Sequence, residues 1–378
     1  MDQDRHYAKI ESNRFGVAVD HMRTKRLTSL NEWGWGDWFE QRAGCKPTES
    51  IGRVAAVDRD QLLLVDQEGP FRAKLAGSFL HRHHRSHELP CVGDWVSLDK
   101  QAGDDFGVVH AVLERRTSLC RKSAGNGIEY QIIAANLDYV VIVQSCHFDF
   151  NLKRLERYLV MVMEGGAEPY ILLTKTDLVD PVVLHAQLAE IGFAGIAAPI
   201  LTVSNLTRDG VDDLEGLLLP GKTYCFVGSS GVGKSTLINH LLGREMLDTK
   251  TVSRTGEGRH TTVRRELIRL DGGALVIDSP GMRELGILGA EAGIGSRYSD
   301  ISAVSSRCRY RDCSHTGEPG CAVLEVLSSG ELSREHFENY RKIKKESEFH
   351  EMSHAEKRRK DRDFGRYIKS VKKDLRED

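Results

Sequence analysis

The sequence predicts a multidomain chain: an all-β barrel of the OB type, then an α/β P-loop domain with its motifs in rotated order, then a small zinc-binding helical domain. Three observations carry this. Short alternating apolar runs fill residues 51–113. Near-continuous apolar runs alternate with helical stretches over 137–289. Three cysteines and a histidine crowd into 308–321.

A chain of 378 residues is long enough for two or three separate cores. Its divisions fall at 1–48 (N-terminal extension), 49–114 (barrel), 115–289 (α/β domain), 290–333 (cysteine module) and 334–378 (basic helical tail). The formal net charge of −2 says nothing about partners, so only local clusters can. The opening residues MDQDRHYAKIESNRFG lack the apolar core of a secretory signal, and no apolar run is long enough to cross a bilayer. The expectation is a cytoplasmic monomer with no membrane partner.

The first distinctive stretch is LNEWGWGDWFEQ (30–41), where aromatics alternate with Gly and Asp. It reads as a helix start or docking element, with local packing the simpler account. IGRVAAVD, QLLLVDQEG, FRAKLAG, VGDWVSLD and FGVVHAVLERR follow, short β-rich runs separated by Gly, Asp and Pro. Five such strands suit an OB-fold, a common platform for single-stranded nucleic acid. HRHHRSH (81–87) falls on a loop of this region and offers a surface for RNA rather than for a metal.

LDYVVIVQS and PYILLTKTD then have the unbroken apolar character of strands covered on both faces. LKRLERYLVMVMEGG between them has helical spacing and stops at Gly. APILTVSN, KTYCFVGSS and GALVIDSPG add strands, with STLINHLLG a helix.

GSSGVGKS (228–235) matches G-x-x-x-x-G-K-S between a strand and a helix. Gly228, Ser229, Ser230, Gly231, Val232 and Gly233 would wrap a β-phosphate with inward N–H groups, followed by Thr236 in the helix. Lys234 would reach the β- and γ-phosphates as a catalytic cation, and Ser235 would ligate Mg²⁺. Asp278-Ser279-Pro280-Gly281 is a D-x-x-G after a strand. Asp278 would hold Mg²⁺ through water, and the Gly281 N–H would sense the γ-phosphate. Between these, RTGEGRHTTVRRELIRL (254–270) contains two candidates for a third Mg²⁺ ligand, Thr261 and Thr262, with Thr262 preferred. Met282 stands where Ras-like GTPases place the water-orienting Gln, and its thioether cannot fill that role. Intrinsic hydrolysis is therefore expected to be slow, with His260 the first candidate to position water.

Thr174-Lys175-Thr176-Asp177 closes an apolar strand. Asp177 would accept from the N1–H and N2–H₂ of guanine, which adenine cannot supply, while the Lys175 stem lies along the base. TVSN (202–205) resembles the loop that meets guanine O6, with Ser204 at its centre. Base elements thus precede the phosphate loop, which precedes the switches: a complete GTPase set, circularly permuted.

This order and its neighbours resemble the circularly permuted GTPases of the ribosome small-subunit-dependent GTPase A (RsgA) family. LPCVGDWV (89–96), AANLDYVVIV (134–143), GSSGVGKSTLIN (228–239), GEGRHTT (256–262), DSPGMREL (278–285) and CRYRDCSHTGEPGCAV (308–323) carry the resemblance. It implies an OB domain, a permuted G domain and a zinc domain. It also implies a role in late maturation of the small ribosomal subunit, which stimulates GTP hydrolysis. The family's hydrophobic residue at the Gln position matches Met282, and its candidate catalytic His falls on His260. Two features depart. Thr174 replaces an Asn that bridges base and phosphate loop, which implies weaker GTP binding. The aromatic stretch at 30–41 lies outside the minimal pattern, as a paralogous subgroup would show.

Cys308, Cys313, His315 and Cys321 form C-x4-C-x-H-x5-C, a Cys₃His set for one structural Zn²⁺. The module lies directly downstream of D-x-x-G, so nucleotide state is expected to reposition it. RKIKK (341–345), KRRKDR (357–362) and RYIKSVKK (366–373) suggest contact with rRNA. Expected ligands are therefore GTP or GDP with Mg²⁺, Zn²⁺, and the small subunit with its rRNA. Two other readings fit the same residues: an RNA-binding scaffold with negligible turnover, and an ATP-using P-loop kinase.

Overall fold

The computed structural model describes residues 29–44, 50–58, 61–101, 103–122, 130–243, 265–278 and 290–351. The aromatic stretch forms a 3-10 turn at Leu30–Trp33, capped by the Ser29 hydroxyl, and one helical turn at Asp37–Glu40. Trp33, Trp35 and Phe39 are buried. Trp35 stands edge-on to Trp95 with centroids 4.8 Å apart and stacks on Phe39 at 5.4 Å. Burying three large rings explains the Gly and Asp between them, which let a short segment turn its aromatics to one side. Packing is the role the structure gives this stretch.

The barrel follows as β1 (Ser50–Val57), β2 (Leu62–Val65), β3 (Pro70–Leu75), α1 (Gly77–Arg82), β4 (Trp95–Asp99) and β5 (Phe106–Val112). Its order, β1-β2-β3-β5-β4, closes through β1–β4 pairing and leaves no free edge. All five strands coincide with the runs read from sequence. HRHHRSH begins in the last turn of α1 and continues as an irregular loop.

A hairpin, β6 (Ser118–Lys122) and β7 (Tyr130–Ala135), separates the barrel from the main sheet. The sheet contains β8 (Tyr139–Ser145), β9 (Glu168–Thr174), β10 (Ile200–Val203), β11 (Thr223–Gly228), β12 (Leu267–Arg269) and β13 (Leu275–Asp278). Its helices are α2 (Leu152–Glu164), α3 (Pro181–Phe193), α4 (Val211–Leu217) and α5 (Lys234–Leu241). The order is β10-β9-β8-β11-β13-β12, parallel except for the edge strand β12. β8 and β11 bury nearly every side chain, and β9 buries Ile171 through Thr174, which is why these runs show no alternation.

One buried cation ties the first half together. Arg53 of β1 donates to the carbonyls of Trp33, Gly93 and Asn136, and its guanidinium lies 5.4 Å from the Trp95 ring centre. Burial lowers its pKa to about 10. An isolated β-bridge, Ala56 to Glu266, and an Arg269–Glu32 ion pair of 2.5 Å join barrel and N-terminal segment to the β12 edge.

The C-terminal elements are α6 (Glu291–Arg297), α7 (Ser299–Ser305), α8 (Ala322–Ser329) and α9 (Arg334–Glu351). Their apolar faces share a core that includes Val160 of α2. A Cβ on Gly293 would stand 2.1 Å from the Val160 carbonyl oxygen, so only glycine lets α6 approach α2 this closely. Arg297 pairs with Glu156 at 2.5 Å, both side chains 4% exposed, and Asn339 donates to the other Glu156 oxygen. Arg157 and Glu346 form a bidentate pair, each contact 2.6 Å.

Candidate functional site

Strand register brings the separated motifs to one edge. Thr174 is level with Ser145 and Val203, Gly228 with Val143, and Asp278 with Phe226. These are the carboxyl ends of parallel strands, where open α/β sheets bind ligands.

Between β11 and α5 the chain makes the phosphate loop. Gly228, Gly231 and Gly233 have φ of 148°, 80° and 97°, positions hostile to other residues. A Cβ on Gly228 would also lie 2.2 Å from the Val143 carbonyl oxygen. Lys234 is 6% exposed, and its Nζ donates to the carbonyls of Gly228 (2.9 Å) and Ser229 (2.6 Å). The ammonium is thereby curled back along the loop. Burial lowers its pKa to about 8 against the opposing pull of Asp278 and Asp149. Ser235 and Thr236 lie in the first turn of α5, while Ser230 and Gly231 are exposed.

Asp278 is 3% exposed, and its Oδ1 has no hydrogen-bond partner among the described residues. Burial pushes its pKa up to about 6, with Lys234 pulling the other way. A buried, unpartnered carboxylate oxygen is costly unless a cation or donor completes it. With the Ser235 hydroxyl, it offers the hard oxygen donors that Mg²⁺ prefers. The two residues fit that ion, which when bound neutralises phosphate charge.

At the base end, Lys175 adopts φ 58°, turning the chain out of β9 into a short 3-10 segment at Thr176–Leu178 that carries the exposed Asp177. The Ser204 hydroxyl donates to Asp177 Oδ1 at 2.6 Å and accepts from the amides of Leu206 and Thr207. The side chain of Ser204 therefore orients the carboxylate, a more specific task than its position in the loop suggested. Thr174 is fully buried and donates to the Val232 carbonyl in the phosphate loop at 2.6 Å. Thr174 thus ties the end of β9 to the phosphate loop, the tie the resemblance assigned to an Asn at this position. His260, Thr261, Thr262, Gly281 and Met282 lie outside the described residues.

Sequence reasoning missed two neighbours, Gln144 and Asp149, and the side-chain tie of Asn205 within the TVSN loop. Gln144, fully buried, closes the loop after β8 by donating to the Asn151 carbonyl and accepting from its amide. Asp149 in that loop pairs with Arg154 at 2.8 Å. Burial raises the Asp149 pKa, while Arg154 and the Ser229 hydroxyl pull it down. Asn205 donates to the Gly233 carbonyl at 3.2 Å. Only the acidic residue before the Asn151 helix cap could have pointed to any of these.

Residues 112–288 match the model of the RsgA GTPase family. A curated relative from Listeria innocua, "Small ribosomal subunit biogenesis GTPase RsgA 1", is 41% identical over 85% of this chain and 90% of its own length. The chain belongs to the RsgA GTPase family. RsgA proteins from Opitutus terrae and Streptomyces avermitilis are each 39% identical, over 85% and 84% of this chain and 90% and 86% of their own lengths. Two solved structures align with TM-score 0.58 and 25% identity: YjeQ from Thermotoga maritima, and YloQ, described as a circularly permuted GTPase. The alignments cover 78% and 81% of this chain and 97% of each neighbour.

The RsgA-family chain also assembles its cysteine cluster. Ligand atoms of Cys308, Cys313, His315 and Cys321 all lie within 4.8 Å of one another. Cys308 Sγ stands 3.7 Å from His315 Nδ1 and 3.9 Å from Cys321 Sγ, and His315 Nδ1 lies 3.4 Å from Cys321 Sγ. Tetrahedral Zn²⁺ with bonds of about 2.0–2.3 Å requires nearly these separations, so the donor set fits. His315 has φ 57°, which folds the short Cys313–His315 spacing inward. Glu318 braces the loop, accepting from the amides of Ser314, Thr316 and Gly317 and from the Ser314 hydroxyl. Cys321 sits at the start of α8, whose Ala322 and Val323 amides point at Cys308.

Proposed function

We propose that this chain is a GTPase that binds the small ribosomal subunit and assists its late maturation, hydrolysing GTP to GDP and phosphate under stimulation by the subunit. One observation carries the nucleotide half: the Asp177 carboxylate, steadied by Ser204, shares a sheet edge with a phosphate loop tied to the same base motif by Thr174. The relatives' names and the extent of their similarity support the ribosomal half.

In this reading Asp177 selects guanine and Lys175 covers its face. Gly228 through Thr236 cradle the phosphates, and Lys234 stabilises charge as the γ-phosphate leaves. Ser235, Asp278 and Thr262 serve Mg²⁺. Gly281 senses the γ-phosphate, and His260 positions water where Met282 cannot. One Zn²⁺ holds the cysteine module as structure, and the barrel and basic tail meet rRNA. The protein works as a cytoplasmic monomer with the five divisions given above.

Calorimetry with GDP and ADP tests the nucleotide assignment. GDP should bind far more tightly, and Asp177→Asn should move preference from guanine towards xanthine nucleotides. Equal binding of ADP and GDP, or an Asp177→Asn protein that still prefers guanine, refutes it.

A further inference from the structure

Two consecutive carbonyls of the phosphate loop are gripped from the base side. The Thr174 hydroxyl takes the Val232 carbonyl at 2.6 Å, and Asn205 Nδ2 takes the Gly233 carbonyl at 3.2 Å. The two donors come from different base loops, one ending β9 and the other following β10. A peptide unit is planar, with its N–H fixed opposite its C=O. The Val232 carbonyl belongs to the same plane as the Gly233 N–H, and the Gly233 carbonyl to that of the Lys234 N–H. Holding each oxygen therefore fixes where the next residue's N–H points, and donation to the oxygen polarises the unit into a better donor. These two amides lie where the loop turns into α5, the part of a P-loop that faces phosphate.

The local geometry treats Asn205 as a fitted part. The Gly233 carbonyl already accepts from Leu237, the first bond of α5, and uses its second lone pair for Asn205. A Cβ on Gly233 would come within 2.8 Å of Asn205 Nδ2, so glycine leaves room for this approach as well as permitting φ 97°. Asn205 Oδ1 is buried, with no hydrogen-bond partner among the described residues. The flipped amide would set oxygen against oxygen at Gly233, so the donating orientation is the one consistent with its surroundings.

We propose that Asn205, together with Thr174, orients the Gly233 and Lys234 amides and so couples guanine recognition to phosphate recognition. Asn205 is a positioning residue: it reaches the nucleotide's phosphates only through the loop. The proposal rests on the assignment of guanine to the Thr174–Asp177 loop. Coupling of this kind predicts that cutting the tie penalises ligands in proportion to what they ask of the phosphate loop.

The test compares GDP with guanosine on Asn205→Ala and Asn205→Asp, guanosine being measured by competition. Asn205→Ala should weaken GDP about three- to tenfold, one neutral hydrogen bond's share, while guanosine changes less than about twofold. Asn205→Asp should weaken GDP further, because a carboxylate would face the Gly233 oxygen. Unchanged melting of the nucleotide-free variants would show that folding is not the cause. GDP affinity within about twofold of the parent, or equal losses for guanosine and GDP, overturns the proposal. Failure of Asp177→Asn to gain xanthine binding refutes the base assignment itself and is read separately.

Discussion

Thr174 is shorter than the Asn that the resemblance implies, yet its hydroxyl spans to Val232 because β9, across β8 from β11, runs two residues past the end of β11 in the shared register. Thr174→Val keeps the shape and removes the donor, leaving the Val232 carbonyl short of a partner. GDP affinity should fall about tenfold, whereas Thr174→Asn should stay within about threefold of the parent, as titration calorimetry would show. That Asp177, Lys234, Ser235 and Asp278 fall at strand ends or a helix start was legible in the sequence, because each sits at a fixed offset in a short motif. Asp149, Gln144 and the side-chain contact of Asn205 were not. Their partners lie across strands, and nothing in a linear spacing says that Asn205 meets Gly233.

Among the elements, α2 links the nucleotide domain to the C-terminal helices. Its Glu156 meets Arg297, which lies 141 positions away, in a pocket where both are nearly dry. Removing one partner of such a pair strands a buried charge, so Arg297→Ala should cost about 3–5 kcal/mol in denaturant unfolding. Glu156→Leu with Arg297→Met should recover only part of that loss, because the desolvation cost disappears with the charges while the buried Asn339 amide loses its Glu156 acceptor. The cysteine module makes a second prediction. Chelation should remove one Zn²⁺ per chain, and Cys308→Ser should prevent its binding. Either should melt the segment leading into α8 while GDP binding persists, as metal analysis and hydrogen exchange would show. The strands of barrel and sheet were legible from apolar runs. The β6–β7 hairpin was not: Arg121, Lys122 and Gln131 break its alternation, and its apolar Ile132–Ala135 reads as a prelude to β8.

Over the whole molecule, the barrel is joined to the edge of the nucleotide sheet at Ala56–Glu266, the N-terminal segment at Glu32–Arg269, and the cysteine module to the α2 face. The nucleotide domain thus stands between the barrel and the cysteine module. The rotated motif order was legible before any fold was known, because every motif closed an apolar strand. How firmly the aromatic stretch would bind barrel to sheet was not, since Trp33, Trp35 and Phe39 find their core only in three dimensions. The most direct test of the central claim is turnover of GTP and ATP with and without purified small ribosomal subunits. GTP hydrolysis should be slow alone and rise severalfold or more with subunits, while ATP remains unused in both. ATP turnover equal to that of GTP, or GTP turnover indifferent to the subunit, would contradict it.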